Sequence, residues 1–172
     1  MVSNVKRIAV VSDSHDNLEA ISLFIEHVKK ENIEAIIHAG DIVSPFALRM
    51  FKGLKLYAVF GNNDGEKLLL KKAADELGIT LEEQPLFVTI EPYSIAVIHG
   101  VGSLEKTQKF AKALAKSGDF RLVVYGHTHQ IDVQQVGEAL VLNPGTLSGY
   151  LAGKRTYAIV NLDTLQADIV EL

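Results

Sequence analysis

The stretch RIAVVSDSH, residues Arg7–His15, joins a short apolar run to polar residues, of which Asp13 and His15 can bind a metal ion. Four further apolar runs end in the same way, each followed within two residues by a side chain of that kind. They are residues 35–39 before Asp41, 56–60 before Asn62, 94–98 before His99, and 121–125 before His127 and His129. Because the carboxyl ends of strands in an open α/β sheet form its binding edge, the pattern predicts one edge that collects all seven side chains.

These seven side chains predict a metal centre, and their number favours two ions over one. Carboxylate, imidazole and amide ligands without thiolate suit borderline-to-hard divalent ions such as Mn, Fe, Ni or Zn. Asp41 stands between Asp13 and Asn62 in chain order, and a carboxylate so placed can bridge two ions. Two ions about 3.5–4 Å apart can share a hydroxide nucleophile and hold both the attacking and the leaving oxygen of a phosphoryl group.

The local spacing of the ligands suggests how the backbone presents them. In the Asp13-x-His15 and His127-x-His129 pairs, period-two alternation would place both side chains on the same side of an extended chain. A glycine adjoins a ligand at positions 40, 61, 100 and 126, where the backbone is expected to turn sharply off a strand.

Length and composition are those of one globular domain spanning residues 1–172. The chain is 48% apolar and 22% charged, and its 17 basic and 21 acidic residues give a formal charge of −4. This balance shows no basic stripe, so no stable nucleic-acid partner is expected. The absence of cysteine excludes disulfides and thiolate zinc sites.

The sequence also predicts that the protein does not engage a membrane. No apolar stretch approaches the roughly 20 residues that a membrane-spanning helix needs. The N-terminus enters a strand-like run without the basic-then-apolar pattern of a signal peptide. A cytoplasmic location is therefore expected.

Hydrophobic periodicity predicts alternating strands and helices in the first half, and short turn-bounded strands in the second. Helices are expected at about 17–30, 45–51, 66–77 and 103–116. Asp16 or Asn17 could cap the first helix, Ser44 the second, and Gly78 would end the third. The result is an α/β domain whose sheets are parallel early and increasingly antiparallel late.

Several polar residues have two interpretations each. His38 lies inside a strand, which favours a packed residue that supports ligands over a ligand itself. Asp64 either orients Asn62 or ends a turn. The segment 143–146 (NPGT) either presents backbone N–H groups to a phosphate or forms a strand-to-loop turn.

Taken together, the motifs resemble those of the calcineurin-like metallophosphoesterases, in particular their compact bacterial and archaeal phosphodiesterase branch. The resemblance covers nearly the whole chain. The motifs that carry it are Asp13-Ser-His15, Gly40-Asp41, Gly61-Asn62-Asn63-Asp64, His99-Gly100, Gly126-His127-Thr-His129 and Asn143-Pro-Gly-Thr146.

The resemblance implies a four-layer α/β/β/α sandwich of two mixed sheets, and it divides the ligands. One ion would be held by Asp13, His15 and His129, the other by Asn62, His99 and His127, with Asp41 bridging them. Mn is favoured for both ions, with Ni, Fe, Co and Zn as alternatives.

The implied activity is hydrolysis of a phosphoester, with a phosphodiesterase favoured, by a hydroxide that bridges the metals. Asp41, Asn62 and His99 would be the residues closest to the chemistry. A small phosphodiester is the expected substrate, because no cluster of Arg or Lys is present to neutralise a phosphomonoester dianion. Many family members carry a histidine where this chain has Asn63, and an amide cannot act as a general acid near neutral pH. Slow turnover that favours activated leaving groups is therefore expected.

Two other functions use the same fold. A trafficking subunit of the retromer complex resembles it and acts as an interaction scaffold, but the full ligand set argues against that role here. A nuclease of the double-strand-break repair branch would need a further domain and a basic groove. A homo-oligomer is left open.

Overall fold

The structure of the protein, a computed structural model, describes residues 6–172. The expected absence of a signal pattern falls partly on residues 1–5, which lie outside the described residues. The strands are β1 Arg7–Val11, β2 Ala35–His38, β3 Leu56–Val59, β4 Thr80–Glu82, β5 Leu86–Ile90, β6 Tyr93–Val97, β7 Leu122–Val124, β8 Ile131–Val136, β9 Ala139–Pro144, β10 Thr156–Asn161 and β11 Gln166–Glu171. The helices are α1 Leu18–Lys30, α2 Pro45–Arg49, α3 Lys67–Leu77 and α4 Leu104–Lys116.

These strands form two mixed sheets. The first has the order β11-β10-β1-β2-β3-β4, in which β1 to β4 are parallel, β10 pairs antiparallel with β1, and β11 pairs antiparallel with β10. The second has the order β5-β6-β7-β9-β8, in which β6, β7 and β9 are parallel and the two edge strands antiparallel. The prediction of increasing antiparallel pairing is therefore right only in part. Strand β4 was not predicted, because its three residues are too short to show a period.

Three apolar clusters separate four layers and confirm the expected sandwich. Helices α1 to α3 cover the outer face of the first sheet, where Phe24 meets Tyr157 edge-on with ring centroids 4.9 Å apart. A second cluster, which includes Val10 and Ile95, fills the space between the sheets. A third joins α4 to the outer face of the second sheet around Tyr125. Each sheet therefore has both faces covered, which explains why its central strands are almost uninterrupted apolar runs.

The helix ends follow the sequence closely. The Asn17 side chain accepts a hydrogen bond from the backbone N–H of Ala20 and caps α1, and Ser44 caps α2 through Ala47. Gly78 ends α3 in the left-handed conformation, with φ of 68°. Within residues 6–172, no helix has both the length and the apolar character required to cross a bilayer.

Strand register places five loops at one rim of the sandwich. In the first sheet Val11 pairs with His38, and His38 with Ala58, so that β1, β2 and β3 end level with one another. In the second sheet Val97 pairs with Val124, so β6 and β7 also end level. The loops after these five strands carry the predicted ligands, and they meet where the two sheets face each other.

Candidate metal centre

All seven residues predicted as metal ligands lie together at this rim, in two groups joined by one carboxylate. In the first group, His129 Nε2 lies 3.2 Å from Asp13 Oδ1 and 3.4 Å from His15 Nε2. The ligand atoms of these three residues all lie within 4.8 Å of one another. Asp13 is fully buried, whereas the two histidines are half-buried, so the group is open to solvent on one side.

The second group consists of an amide and two imidazoles. Asn62 Oδ1 lies 2.8 Å from His99 Nε2 and 2.8 Å from His127 Nδ1. His99 is buried, His127 is half-buried and Asn62 is exposed. Three lone-pair atoms therefore converge on one point at the surface of the rim.

Asp41 lies between the two groups. Its Oδ2 is 3.5 Å from His15 Nε2 in the first group and 3.5 Å from His99 Nε2 in the second. The residue is 1% exposed. Ligand atoms of Asp13, Asp41 and His99 also lie within 4.8 Å of one another, so these three residues could hold one metal ion together. This is the position that a carboxylate shared by two cations would occupy.

The hydrogen bonding around the ligands fits a bound cation. Asp13 Oδ2 accepts hydrogen bonds from the Ser12 hydroxyl and the His127 backbone N–H, but Asp13 Oδ1 is buried and accepts none among the described residues. His99 Nδ1 donates to the Ala39 carbonyl, and His129 Nδ1 donates to the carbonyl of Tyr150. Each ring therefore keeps its Nε2 lone pair for the centre, which is the usual arrangement of a metal-binding imidazole.

The charges of the carboxylates and imidazoles favour a cation at the same place. Burial disfavours the charged form of Asp13, but the adjacent imidazoles of His129 and His15 outweigh it and hold the pKa of that carboxyl well below its usual range. Burial also opposes protonation of His99, yet Asp41 and Asp13 raise the pKa of that imidazole above its ordinary value. Two ionised, buried carboxylates thus need compensating positive charge. Among the described residues, Asp13 and Asp41 have only histidines within ion-pair distance.

The backbone does not present the ligands as an extended chain, so that part of the prediction is wrong. Asp13, His15, Asp41, His127 and His129 all have positive φ, between 42° and 67°. Because the strands end before these residues, His127 and His129 turn toward different groups instead of sharing one side. The left-handed conformation costs about 1 kcal/mol for each non-glycine residue, and such strain is typical of functional sites.

The glycines next to the ligands are required for two different reasons. Gly40 has φ of 97°, as expected for a sharp turn. A Cβ atom at Gly100 would lie 2.7 Å from His127 Cγ, one at Gly61 would collide with the Asp41 carboxylate, and one at Gly126 with Ser12 Oγ. These three are therefore needed because other loops pack directly against them. Gly40 is needed for both reasons, since a Cβ atom there would lie 2.6 Å from His99 Nδ1.

Asp64 has a role that neither interpretation of the sequence anticipated. Its carboxylate is 2% exposed and accepts hydrogen bonds from the backbone N–H groups of Asp41 at 3.0 Å, Val43 at 2.6 Å and Gly61 at 2.7 Å. It therefore ties the loop of the shared carboxylate to the loop of Asn62. The short Asn-x-Asp spacing places Asp64 near the centre, but two of the three donors, Asp41 and Val43, come from a loop more than twenty residues away.

We expect Asp64→Asn to lower the free energy of unfolding by about 2 kcal/mol, because the new amide nitrogen faces backbone donors and leaves one of them unpaired. Urea unfolding measures the change. Asp75→Asn, at an exposed position of α3, is the matched control. Equal unfolding midpoints for the two variants would show that Asp64 does not brace these loops.

His38 and the segment 143–146 also support the loops. His38 is buried and hydrogen-bonded to Ser14 Oγ at 2.9 Å, and burial lowers its pKa to about 4, which confirms a packed supporting residue. Asn143 Nδ2 donates to the Gly126 carbonyl and to Thr128 Oγ1. The N–H of Gly145 bonds to Asn143 Oδ1 within the segment. The turn interpretation is therefore favoured over a phosphate-binding one.

Asn63, which occupies the position of the family histidine, faces the shared carboxylate. Its backbone N–H donates to Asp41 Oδ1 and its side-chain amide to Asp41 Oδ2, both at 2.8 Å. Burial raises the pKa of the Asp41 carboxyl, but the neighbouring His99 imidazole, and after it the two bonds from Asn63, bring that pKa below its ordinary value.

Comparison with known proteins agrees with this geometry. The calcineurin-like phosphoesterase superfamily domain matches residues 7–165. A phosphodiesterase of Methanocaldococcus jannaschii is 36% identical over 169 residues, which cover 96% of this chain and 98% of the relative. A solved structure of an archaeal phosphodiesterase superimposes with a TM-score of 0.88 at 33% identity, covering 96% of this chain and 99% of that one.

A more distant likeness concerns the scaffold alternative. Vps29 of Entamoeba histolytica, solved in complex with zinc, has a TM-score of 0.65 at 17% identity and covers 96% of this chain and 98% of its own. At this identity the likeness extends to the fold alone. The matched family domain and the archaeal relatives place the chain in the calcineurin-like phosphoesterase superfamily, whose members are hydrolases of phosphate esters.

Proposed function

We propose that this protein is a divalent-metal-dependent phosphodiesterase with a two-metal centre. The observation that carries the proposal is the position of Asp41, whose Oδ2 lies 3.5 Å from one histidine of each ligand group. Two separate groups joined by a single buried carboxylate are the arrangement that two neighbouring cations require. Mn is the favoured ion, with Ni, Fe, Co and Zn as alternatives of similar ligand preference.

The ligand roles follow from the two groups. Asp13, His15 and His129 would hold one ion, Asn62, His99 and His127 would hold the other, and Asp41 would contact both. When bound, the ions would supply a hydroxide nucleophile between them and positive charge for the attacked phosphoryl oxygens.

The protein itself contributes rigidity and access. Carbonyl groups of Ala39 and Tyr150 fix the rings of His99 and His129, so little reorganisation accompanies the reaction. The exposed Asn62 and the half-buried His127 mark the open side, from which a phosphate group would approach.

Two observations favour diesters over monoesters. Lys154 is the lysine that lines the groove beside His127 and His129, and it lies 3.3 Å from Glu171. Among the described residues no other lysine or arginine lines this groove, so little protein charge is available there to balance the second charge of a monoester. The relative of M. jannaschii is also named a phosphodiesterase.

Hydrolysis of bis(p-nitrophenyl) phosphate by metal-stripped protein, before and after addition of Mn²⁺, tests the proposal. We expect no turnover without metal and clear turnover with Mn²⁺, at a higher kcat/KM than for p-nitrophenyl phosphate. Absence of turnover with Mn²⁺, Ni²⁺, Co²⁺ and Zn²⁺ would favour the interaction scaffold. A preference for the monoester would retain the hydrolase and reject the phosphodiesterase.

Asn63→His should raise activity on diesters with poor leaving groups, because it supplies a general acid that the wild-type residue cannot provide. The gain should reach roughly tenfold, below the hundredfold or more typical of general acid catalysis, since the variant also loses the amide bond to Asp41. The measurement is kcat/KM for diphenyl phosphate relative to bis(p-nitrophenyl) phosphate. Asn63→Ala controls for the lost amide, and equal ratios in both variants would indicate that another group already protonates the leaving oxygen.

A further inference from the structure

A groove of about 570 Å³ begins at the metal centre and extends away from it. Its inner end is formed by His127 and His129, one from each ligand group. Its outer walls come from three separate elements, with Leu104 at the start of α4, Ile131 at the start of β8, and Leu151 in the loop before β10. A group attached to a phosphate at the metals would therefore enter this groove directly.

Three large apolar side chains line the groove beside polar ones such as Thr128 and Gln130, and all three are exposed. Leu104 is 46% exposed, Ile131 48% and Leu151 84%. The lysine of the groove, Lys154, lies 3.3 Å from Glu171 and so carries no free charge for a second anionic group. Apolar side chains concentrated around an open site are unusual unless they contact a ligand.

The loop of residues 149–153 holds Leu151 in this position at a conformational cost. Gly149, Leu151 and Gly153 have φ of 73°, 64° and 72°, and Leu151 is the residue of the three that is not glycine. A left-handed leucine costs about 1 kcal/mol, and its exposed side chain gains little packing to offset that. The loop is also anchored to the centre, because the Tyr150 carbonyl accepts a hydrogen bond from His129.

We propose that this groove binds an aromatic ring on one ester arm of the phosphodiester substrate. The proposal rests on the phosphodiesterase function proposed above and narrows its substrate class. Leu104, Ile131 and Leu151 offer apolar surface to a ring, as in a nucleoside or aryl ester, whereas the small polar arm of a glycerophosphodiester would leave that surface in water. Phosphodiesters with an aromatic arm are therefore the preferred substrates.

Binding of two inert phosphinates, which carry the single negative charge of a phosphodiester, to the Mn²⁺-loaded protein tests the groove without turnover, with isothermal titration calorimetry as the measurement. Methyl(phenyl)phosphinate should bind about tenfold more tightly than dimethylphosphinate, because its ring buries apolar surface that a methyl group cannot reach. In Leu151→Asn the ratio should fall to about threefold or less. Asparagine tolerates the left-handed conformation, so the backbone of the loop is preserved.

The matched control is Leu68→Asn, since Leu68 is 85% exposed on α3 and does not line the groove. It should leave the tenfold ratio unchanged, and Mn²⁺ binding by both variants should equal that of the wild type. Equal affinities of the wild type for the two phosphinates, or an unchanged ratio in Leu151→Asn, would overturn the proposed binding groove and leave the phosphodiesterase in place. Failure of both phosphinates to bind the metal-loaded protein would reject the proposed function and the groove together.

Discussion

Asp41→Asn is expected to lower kcat for bis(p-nitrophenyl) phosphate by roughly a thousandfold or more, because charge stabilisation by a two-metal centre is worth several kcal/mol. The substitution removes the negative charge that both cations would share while keeping the shape of the side chain. Both ligand groups lose a partner at once, since Asp41 Oδ2 is 3.5 Å from His15 and from His99. Metal content after dialysis should fall together with the rate.

Asp75→Asn serves as the control for this substitution, because it makes the same chemical change at an exposed position on α3. It should retain wild-type turnover and metal content. An Asp41→Asn variant that keeps both its rate and its metals would contradict a shared carboxylate at the centre.

The paired variants His129→Ala and His127→Ala should each lower kcat by about a hundredfold or more, and for separate reasons. His129 belongs to the group of Asp13 and His15, and His127 to that of Asn62 and His99. Each variant should therefore bind the ion of its own ligand group weakly and bind the ion of the other ligand group as the wild type does. Mn²⁺ titration by calorimetry should show one strong binding event in each variant.

A third variant separates two sites from one. If the two histidines served a single ion, each single variant would already have lost that ion. The double variant, His129→Ala with His127→Ala, would then bind metal no more weakly than the single variants. Two sites predict that the double variant loses strong binding altogether. His27→Ala, at an exposed position of α1, controls for the loss of an imidazole.

Much of the fold could be predicted because its signals are local. Apolar runs such as those before Asp13 and Asp41 are buried on both faces, and the caps Asn17, Ser44 and Gly78 depend on one or two neighbouring residues. Sheet order could not be obtained in the same way. Strand β10 returns to the first sheet and pairs with β1, which joins residues about 150 positions apart, and β11 then pairs with β10.

That the seven candidate ligands would lie together could be predicted from the sequence, whereas their backbone geometry could not. The seven candidates follow apolar runs, and a strand end is a local feature. The positive φ values of His127 and His129 depend on hydrogen bonds and packing from other loops, such as the contact of Asp13 with the His127 N–H. The hydrogen bonds of Asp64 and the groove at Leu151 likewise join segments that are distant in sequence, so no short sequence pattern predicts them.

The most direct test of the two-metal account is a count of Mn²⁺ ions bound per chain, made by equilibrium dialysis of the metal-stripped protein. The account predicts saturation at two ions, with hydrolysis of bis(p-nitrophenyl) phosphate appearing as the second ion binds. Saturation at one ion with full turnover, or full turnover with none, would contradict it.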